Sequence, residues 1–384
     1  MTDPGGAAAA GLAVSAPASR SGGAGRVVPL RIGIVGGGFM ARVHAGAARS
    51  AGAEVVALAS SSPASAARAA GDLGVGTAHE SVDDLVHDPR VDVVHVCSPN
   101  ATHAPVALAA LAAGKHVVCE KPLATSTGEA EAMVEAAAAN GLVGAVPFVY
   151  RYHPMVREAR ARVAAGEAGR VLSIRGSYLQ DWLLERDDVD WRVDSAAGGP
   201  SRAFADIGSH LVDLIEFVAG DPLARLTSTT NRVHADRGGS RVDTEDEAAV
   251  VFETVGGAIG TLFVSQVAPG RKNRLLLDVS GTAESLEFSQ EEPETLWVGR
   301  RSGTRLVPRD TARLSPDAAR LSTVPAGHPM GYVDAFAGFV RDAHDAVRGG
   351  APEGLPTFAD GLRAARVTEA VLDSAASRSW VDVT

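Results

Sequence analysis

The 384-residue sequence predicts an α/β protein in two parts, a doubly wound parallel sheet followed by an α+β unit with an open, largely antiparallel sheet. Three observations carry this prediction. A β-branched run (Ile32, Ile34, Val35) leads into Gly36-Gly37-Gly38 and a helical stretch from Phe39 to Arg49. Between residues 30 and 150, continuous apolar runs alternate with helical ones, as a parallel sheet covered on both faces requires. From Leu223 to Val307, strand-like segments follow one another without intervening helices, which points to antiparallel pairing.

Taken in order, residues 1–29 are mainly Ala, Gly, Ser and Pro with almost no large side chains. They offer too little apolar surface to offset chain entropy, so a disordered tail is expected. The weakly apolar Ala7–Val14 run has no basic residue before it and does not read as an export signal. Residues 30–150 form the first unit, with strands at 31–35, 54–59, 91–97, 116–119 and 142–147. Helices are expected at 39–49, 64–73, 102–113 and 126–139, with a short helical piece after Ser81 and Asp83. In such sheets a ligand lies beyond the carboxyl ends of the strands. Those ends are Gly36–Gly38, Ser60–Ser62, Cys97–His103 and Glu120–Pro122, where polar residues and prolines collect.

Residues 151–384 form the second unit, expected to bind substrate and to oligomerise. A helix over 153–165 and a strand over 171–178 precede a polar, aromatic-rich stretch. Gly198-Gly199-Pro200 then leads to Asp206-Ile-Gly-Ser-His210 and an apolar helix through Val218. Strands follow at 226–232, 247–253, 258–267, 274–280, 284–288 and 295–298, and two amphipathic helices close the chain at 330–347 and 358–376.

Composition narrows the function. A formal charge of −10 argues against a broad nucleic-acid surface. No run of about 18–20 apolar residues lacks breakers, so no membrane span is expected. Cys97 and Cys119 end buried strands and lack metal-site spacing, which fits reduced core thiols in a cytoplasmic protein. No metal is expected.

The glycine turn has a mechanism. In G-x-G-x-x-A, Gly36 permits the tight turn, Gly38 lets backbone approach a pyrophosphate, and Ala41 allows close packing of helix on strand. The helix N-terminus, with Phe39 and Met40, then faces the phosphates. NAD or NADP is the expected cofactor. The second strand ends at Ser60 rather than at the acid that usually holds a ribose 2′-hydroxyl, and no arginine follows before Arg68. That slightly favours NADP or dual use.

At Cys97-Ser98-Pro99-Asn100-Ala-Thr-His103 and Glu120-Lys121-Pro122 the chain resembles the glucose–fructose oxidoreductase / inositol dehydrogenase / MocA family. The likeness continues through Asp206-Ile-Gly-Ser-His210-Leu-Val-Asp213 and covers residues 30 to about 220. It implies a Rossmann domain joined to an open-faced sheet domain, with the active site between them. It further implies that Lys121, Asp206 and His210 serve catalysis, and that Ser98, Pro99, Asn100, His103 and Glu120 lie along the cofactor.

The residue types suit that chemistry. Oxidising an alcohol needs a base for the hydroxyl proton, and His210 fits that role, with Asp206 one helical turn before it. Lys121 would polarise the substrate oxygen. Arg151, Tyr178, Gln180, Trp182, Trp191 and Arg192 combine aromatic faces with hydrogen-bonding groups, as a sugar or cyclitol requires, and are expected to contact substrate. Pro200-Ser201-Arg202 departs from the family's shorter spacing and is expected to reshape the substrate mouth. The expected activity is hydride transfer between nicotinamide and a ring carbinol. An NAD-dependent glycoside hydrolase or eliminase, and a non-catalytic NAD(P)-binding regulator, are the alternatives. Exposed sheet in the second unit suggests a homodimer or homotetramer.

Overall fold

The computed structural model describes residues 28–383, so the predicted disordered tail lies almost wholly outside the described residues. The first unit runs β1 (Arg31–Val35), α1 (Phe39–Ser50), β2 (Glu54–Ala59), α2 (Pro63–Leu73), α3 (Val82–Val86) and β3 (Val93–Val96). It continues with α4 (His103–Ala112), β4 (His116–Cys119), α5 (Thr127–Ala139) and β5 (Gly144–Ala145). The strands pair in the order β2-β1-β3-β4-β5, and every pairing is parallel. Local chemistry sets the helix starts. Ser62, Ser81 and Ser126 each accept a main-chain N–H in the first turn of the helix they precede.

The second part begins with α6 (Pro154–Ala164), β6 (Val171–Leu179), α7 (Ser195–Gly198) and α8 (Ser209–Ala219), the last entered through a π-helical turn at Phe204–Gly208. Next come β7 (Leu223–Asn231), a small hairpin of β8 (Asp236–Arg237) and β9 (Ser240–Arg241), β10 (Glu247–Thr254) and β11 (Ile259–Ser265). They are followed by β12 (Arg274–Gly281), β13 (Ser285–Ser289), β14 (Thr295–Arg300) and β15 (Gly303–Pro308). Helices α9 (Pro316–Arg320), α10 (Tyr332–Val347) and α11 (Phe358–Ser377), and strand β16 (Val381–Asp382), end the chain. The nine-stranded sheet has the order β15-β14-β13-β12-β6-β11-β10-β7-β16. All its pairings are antiparallel except β6 with β11, which makes the sheet mixed.

One face of this sheet packs on α6, α8 and α11, burying Ile174, Phe252, Leu262 and Phe288 against Leu211, Ile215 and Val371. The other face leaves Val251, Ile259 and Phe263 exposed. The strands alternate accordingly, buried and exposed with period two.

The two closing helices reach back to the first sheet. Phe336, Phe339 and Val340 of α10 share a core with Ile32, Ile34, Val93 and Ala45, while Phe358 and Ala364 of α11 pack with Val117 and Met133. The parallel sheet therefore lacks part of its cover until the last fifty residues fold onto it. Phe339 is fully buried at this junction. Phe339→Ala is expected to destabilise the protein by about 3–5 kcal/mol through lost burial and a cavity. A denaturant midpoint that stays in place would show that α10 is not part of that core.

Candidate active site

The carboxyl ends of β1 to β4 open on a cleft of about 610 Å³. The glycines shape its floor. Gly36 holds φ at +116°, and a Cβ there would meet the Cys97 carbonyl oxygen at 2.5 Å, so the turn accepts only glycine. Gly38 precedes α1 without a side-chain cap, and nothing lies within 4 Å of where its Cβ would be. The uncapped start of α1 thus lines the cleft, and a helix N-terminus carries unpaired amides of the kind a pyrophosphate needs. Phe39 is two-thirds exposed at the rim beside Met40, and Ser60, Ser98, Pro99 and Asn100 complete that wall.

His103 also lines the cleft, but its two ring nitrogens lie 2.8 Å from the Pro122 carbonyl oxygen and 2.9 Å from that of Ser98. Carbonyl oxygens only accept and a neutral imidazole carries one N–H, so the ring donates to one of these two strand-end loops and packs against the other. Burial lowers its affinity for a proton.

Lys121 follows β4, and the peptide to Pro122 is cis. Its Nζ donates to the Asp206 carboxylate at 2.6 Å and to the Asp206 carbonyl at 2.9 Å, linking the first sheet to the π-helical turn. Gln266 Nε2 donates to the other carboxylate oxygen at 2.8 Å, and the Arg192 guanidinium lies 3.7 Å away. Burial alone would raise the Asp206 carboxyl, but Lys121 and Arg192 outweigh it and hold the group down to about 2.

His210 sits one turn further on, packed edge-on against Phe148 at 5.8 Å and Tyr150 at 5.1 Å. Burial, reinforced by Lys121, pushes its imidazole down to about 3, so the ring is neutral at physiological pH. Its Nδ1 is buried without a partner. Asp206 and His210 do not line the cleft wall themselves; Lys121 and Arg192, the two cations beside Asp206, do.

The six expected substrate contacts divide. Trp191 and Arg192 reach the cleft, with the guanidinium 4.4 Å over the indole. Tyr178 lies 6.5 Å from the His210 ring, and Gln180 joins it through Asn273, which no motif revealed. Tyr178 donates to Asn273 at 2.7 Å, Gln180 donates to the same oxygen at 2.8 Å, and Tyr150 bonds Tyr178. Two expectations need correction. Arg151 does not join the cleft, because Asp213 and Asp360 hold its guanidinium inside the second part at 2.9 and 2.7 Å. Trp182 turns toward Leu183, Val193 and Val242, its indole N–H donating to Gln180 at 2.7 Å.

The inserted segment 200–202 does not line the cleft either. Ser201 and Arg202 point inward, not into a substrate mouth. Glu245 accepts from Ser201 Oγ and from the main chain at Arg202 and Phe204, while Arg202 pairs with buried Asp246. The insertion braces the turn that carries Asp206.

The comparisons with known proteins bear on this geometry. Residues 30–148 match the oxidoreductase family with NAD-binding Rossmann fold, and residues 156–287 match the GFO/IDH/MocA C-terminal domain. The chain belongs to the Gfo/Idh/MocA oxidoreductase family. It is 33% identical to levoglucosan dehydrogenase of Pseudarthrobacter phenanthrenivorans over 92% of this chain and 98% of that protein. A solved levoglucosan dehydrogenase in complex with NADH and levoglucosan superposes with a TM-score of 0.87 at 31% identity, covering 93% of this chain and all of the other. An inositol dehydrogenase homologue complexed with NAD+ from Azotobacter vinelandii gives 0.85 at 29% identity, over 93% and 98% of the two chains. The cofactor prediction thus agrees with an NAD-binding fold, and the cleft at Gly36–Gly38 has the shape and free amides to hold that nucleotide.

Because the Lys121 charge disfavours imidazolium at His210, removing it should raise the histidine's pKa above about 3. For Lys121→Ala, the acid limb of kcat/KM in alcohol oxidation is expected to lie at higher pH than in the unsubstituted protein. A limb that does not move would separate His210 from the Lys121 field.

Proposed function

We propose that this Gfo/Idh/MocA member oxidises a ring carbinol of a sugar, sugar derivative or cyclitol to the ketone, or runs the reverse reduction. The observation that carries this reading is the neutral, buried His210 beside the Lys121–Asp206 pair at the strand ends. In this reading Lys121 holds the substrate oxygen and favours its alkoxide character, supported by its contact with Asp206. His210 takes the hydroxyl proton as the C–H hydrogen leaves with its electron pair. Bound NAD(P) supplies the acceptor for that hydride at nicotinamide C4. Trp191, Arg192, Gln180 and Tyr178 offer one aromatic face and several hydrogen-bonding groups to a hydroxylated ring.

NAD is the primary cofactor in this reading, in line with the relatives solved with NADH and NAD+. Ser60 puts no carboxylate where a 2′-phosphate would sit, so NADP is accepted as well; one relative is named D-xylose 1-dehydrogenase (NADP(+)) 2. No described helix is long and apolar enough to cross a membrane, and a cytoplasmic site of action is proposed. The exposed sheet face with Val251, Ile259 and Phe263 is proposed to pair with a second copy in a homodimer or homotetramer. Light scattering should then give a multiple of the chain mass, and a monomer would contradict the pairing.

The test of function is reduced-nicotinamide absorbance across a panel of sugars and cyclitols with NAD and NADP. His210→Ala is expected to lose at least about 10²-fold in kcat, the low end for a general base. Turnover unchanged in that variant would overturn the assignment.

A further inference from the structure

A row of buried histidines lies behind the cleft, outside the machinery described so far. His44 of α1, His95 of β3 and His344 of α10 are each fully buried. Their rings follow one another, with centroids 5.1 Å apart for His44–His95 and 5.9 Å apart for His95–His344. The row ends on Glu120. His44 Nε2 lies 3.0 Å from Glu120 Oε1, and His44 Nδ1 lies 3.0 Å from His95 Nδ1. The other Glu120 oxygen accepts the main-chain N–H of Lys121 at 3.1 Å.

Three imidazoles in an apolar core are costly unless their polar atoms are matched. Here they are matched only toward the cleft. His95 Nε2 and both nitrogens of His344 have no partner, while both nitrogens of His44 do. Burial would raise the Glu120 carboxyl, but the His44 hydrogen bond, with Lys121 and His103, keeps it below its ordinary value. A carboxylate only accepts, so the His44 Nε2 carries the proton in that bond. Burial and the neighbouring rings hold His95 neutral, leaving it one ring proton. Phe336 closes against the His44 ring edge-on at 4.8 Å and limits its rotation.

We propose that His44, backed by His95, is a positioning residue for the Lys121 loop, acting through Glu120. The chain of contacts runs from His95 to His44 to the Glu120 carboxylate to the Lys121 amide, and so sets where the Lys121 ammonium meets Asp206. This inference rests on the proposed alcohol oxidation, because it assigns His44 an effect on the same Lys121–Asp206 pair. A displacement of about 1 Å in a catalytic group costs on the order of 10²-fold in rate, which makes such support measurable.

Two replacements of similar size separate hydrogen bonding from packing. His44→Gln keeps a donor for Glu120 and a second polar atom for His95, whereas His44→Met fills the space with neither. His44→Met is expected to lower kcat ~10-fold or more, with the dissociation constant for NADH, read by fluorescence titration, changed less than about 3-fold. His44→Gln is expected to restore most of that loss. The same Met substitution in a Glu120→Gln background should add little, since the link is already cut. Independently of turnover, the long-range ¹H–¹⁵N spectrum of the nucleotide-free protein should show His44 protonated at Nε2.

A folded His44→Met enzyme with native kcat would overturn the proposal. So would equal losses in Met and Gln, or an unprotonated Nε2. Should His44→Met fail to fold, the Glu120→Gln variant and the imidazole spectrum decide: native kcat in the former or a bare Nε2 in the latter overturns it. A native enzyme inactive on every alcohol would sink the proposed function instead, while an active one indifferent to His44→Met sinks only the positioning role.

Discussion

The Lys121–Asp206 pair is the constraint on which the rest of the site depends. It joins a residue at the end of β4 to a residue in the turn before α8, so it exists only when both sheets are folded and correctly placed. Both side chains are about 15% exposed, where desolvation of two charges is substantial. The surroundings offset that cost with further contacts: the Asp206 carbonyl and Gln266 on one side, Arg192 on the other. Net stability is not the main product of such a pair. It fixes a cation whose field keeps His210 neutral, the electrostatic arrangement that the proposed alcohol oxidation would use.

Several features beyond the Lys121–Asp206 pair itself serve this placement. Glu245 gathers three donors from residues 201–204 and so shapes the turn that presents Asp206. Asn100 donates to the Gly198 carbonyl at 2.9 Å, stitching the loop after β3 to the same segment. The small hairpin β8–β9 holds the segment that carries Trp191 and Arg192, with the Arg237 guanidinium donating to the Glu185 carbonyl at 2.7 Å and His234 lying 3.0 Å from that of Leu184. Second-part residues thus support a site whose nucleotide half lies wholly in the first part.

Much of this was legible in the sequence because it rests on local rules. The strand–glycine–helix unit at 31–50, the parallel order implied by continuous apolar strands, and the antiparallel texture after Leu223 follow from backbone sterics and periodicity. Lys121, Asp206 and His210 were legible through ordered motifs, and the structure brings them together. What escaped were contacts set by tertiary placement. Arg151 sits next to Tyr150, yet its side chain leaves the site for two carboxylates distant in sequence. Gln266 and Asn273 carry no motif and enter through strand register. The parallel pairing of β6 with β11 spans a connection of 79 residues, 180–258, which no local pattern records. His44 was part of the helix after the glycines, and only the fold shows that it meets Glu120.

In the proposed reaction hydrogen moves directly between a ring carbon and the nicotinamide, with His210 taking only the proton. The most direct measurement uses a substrate carrying deuterium on the carbinol carbon, with mass and NMR analysis of the recovered nucleotide. The account predicts one deuterium at C4 of the reduced nicotinamide and accumulation of the ketone. Deuterium lost to water, or returned to a cleaved or eliminated product with no net reduced cofactor, would contradict it.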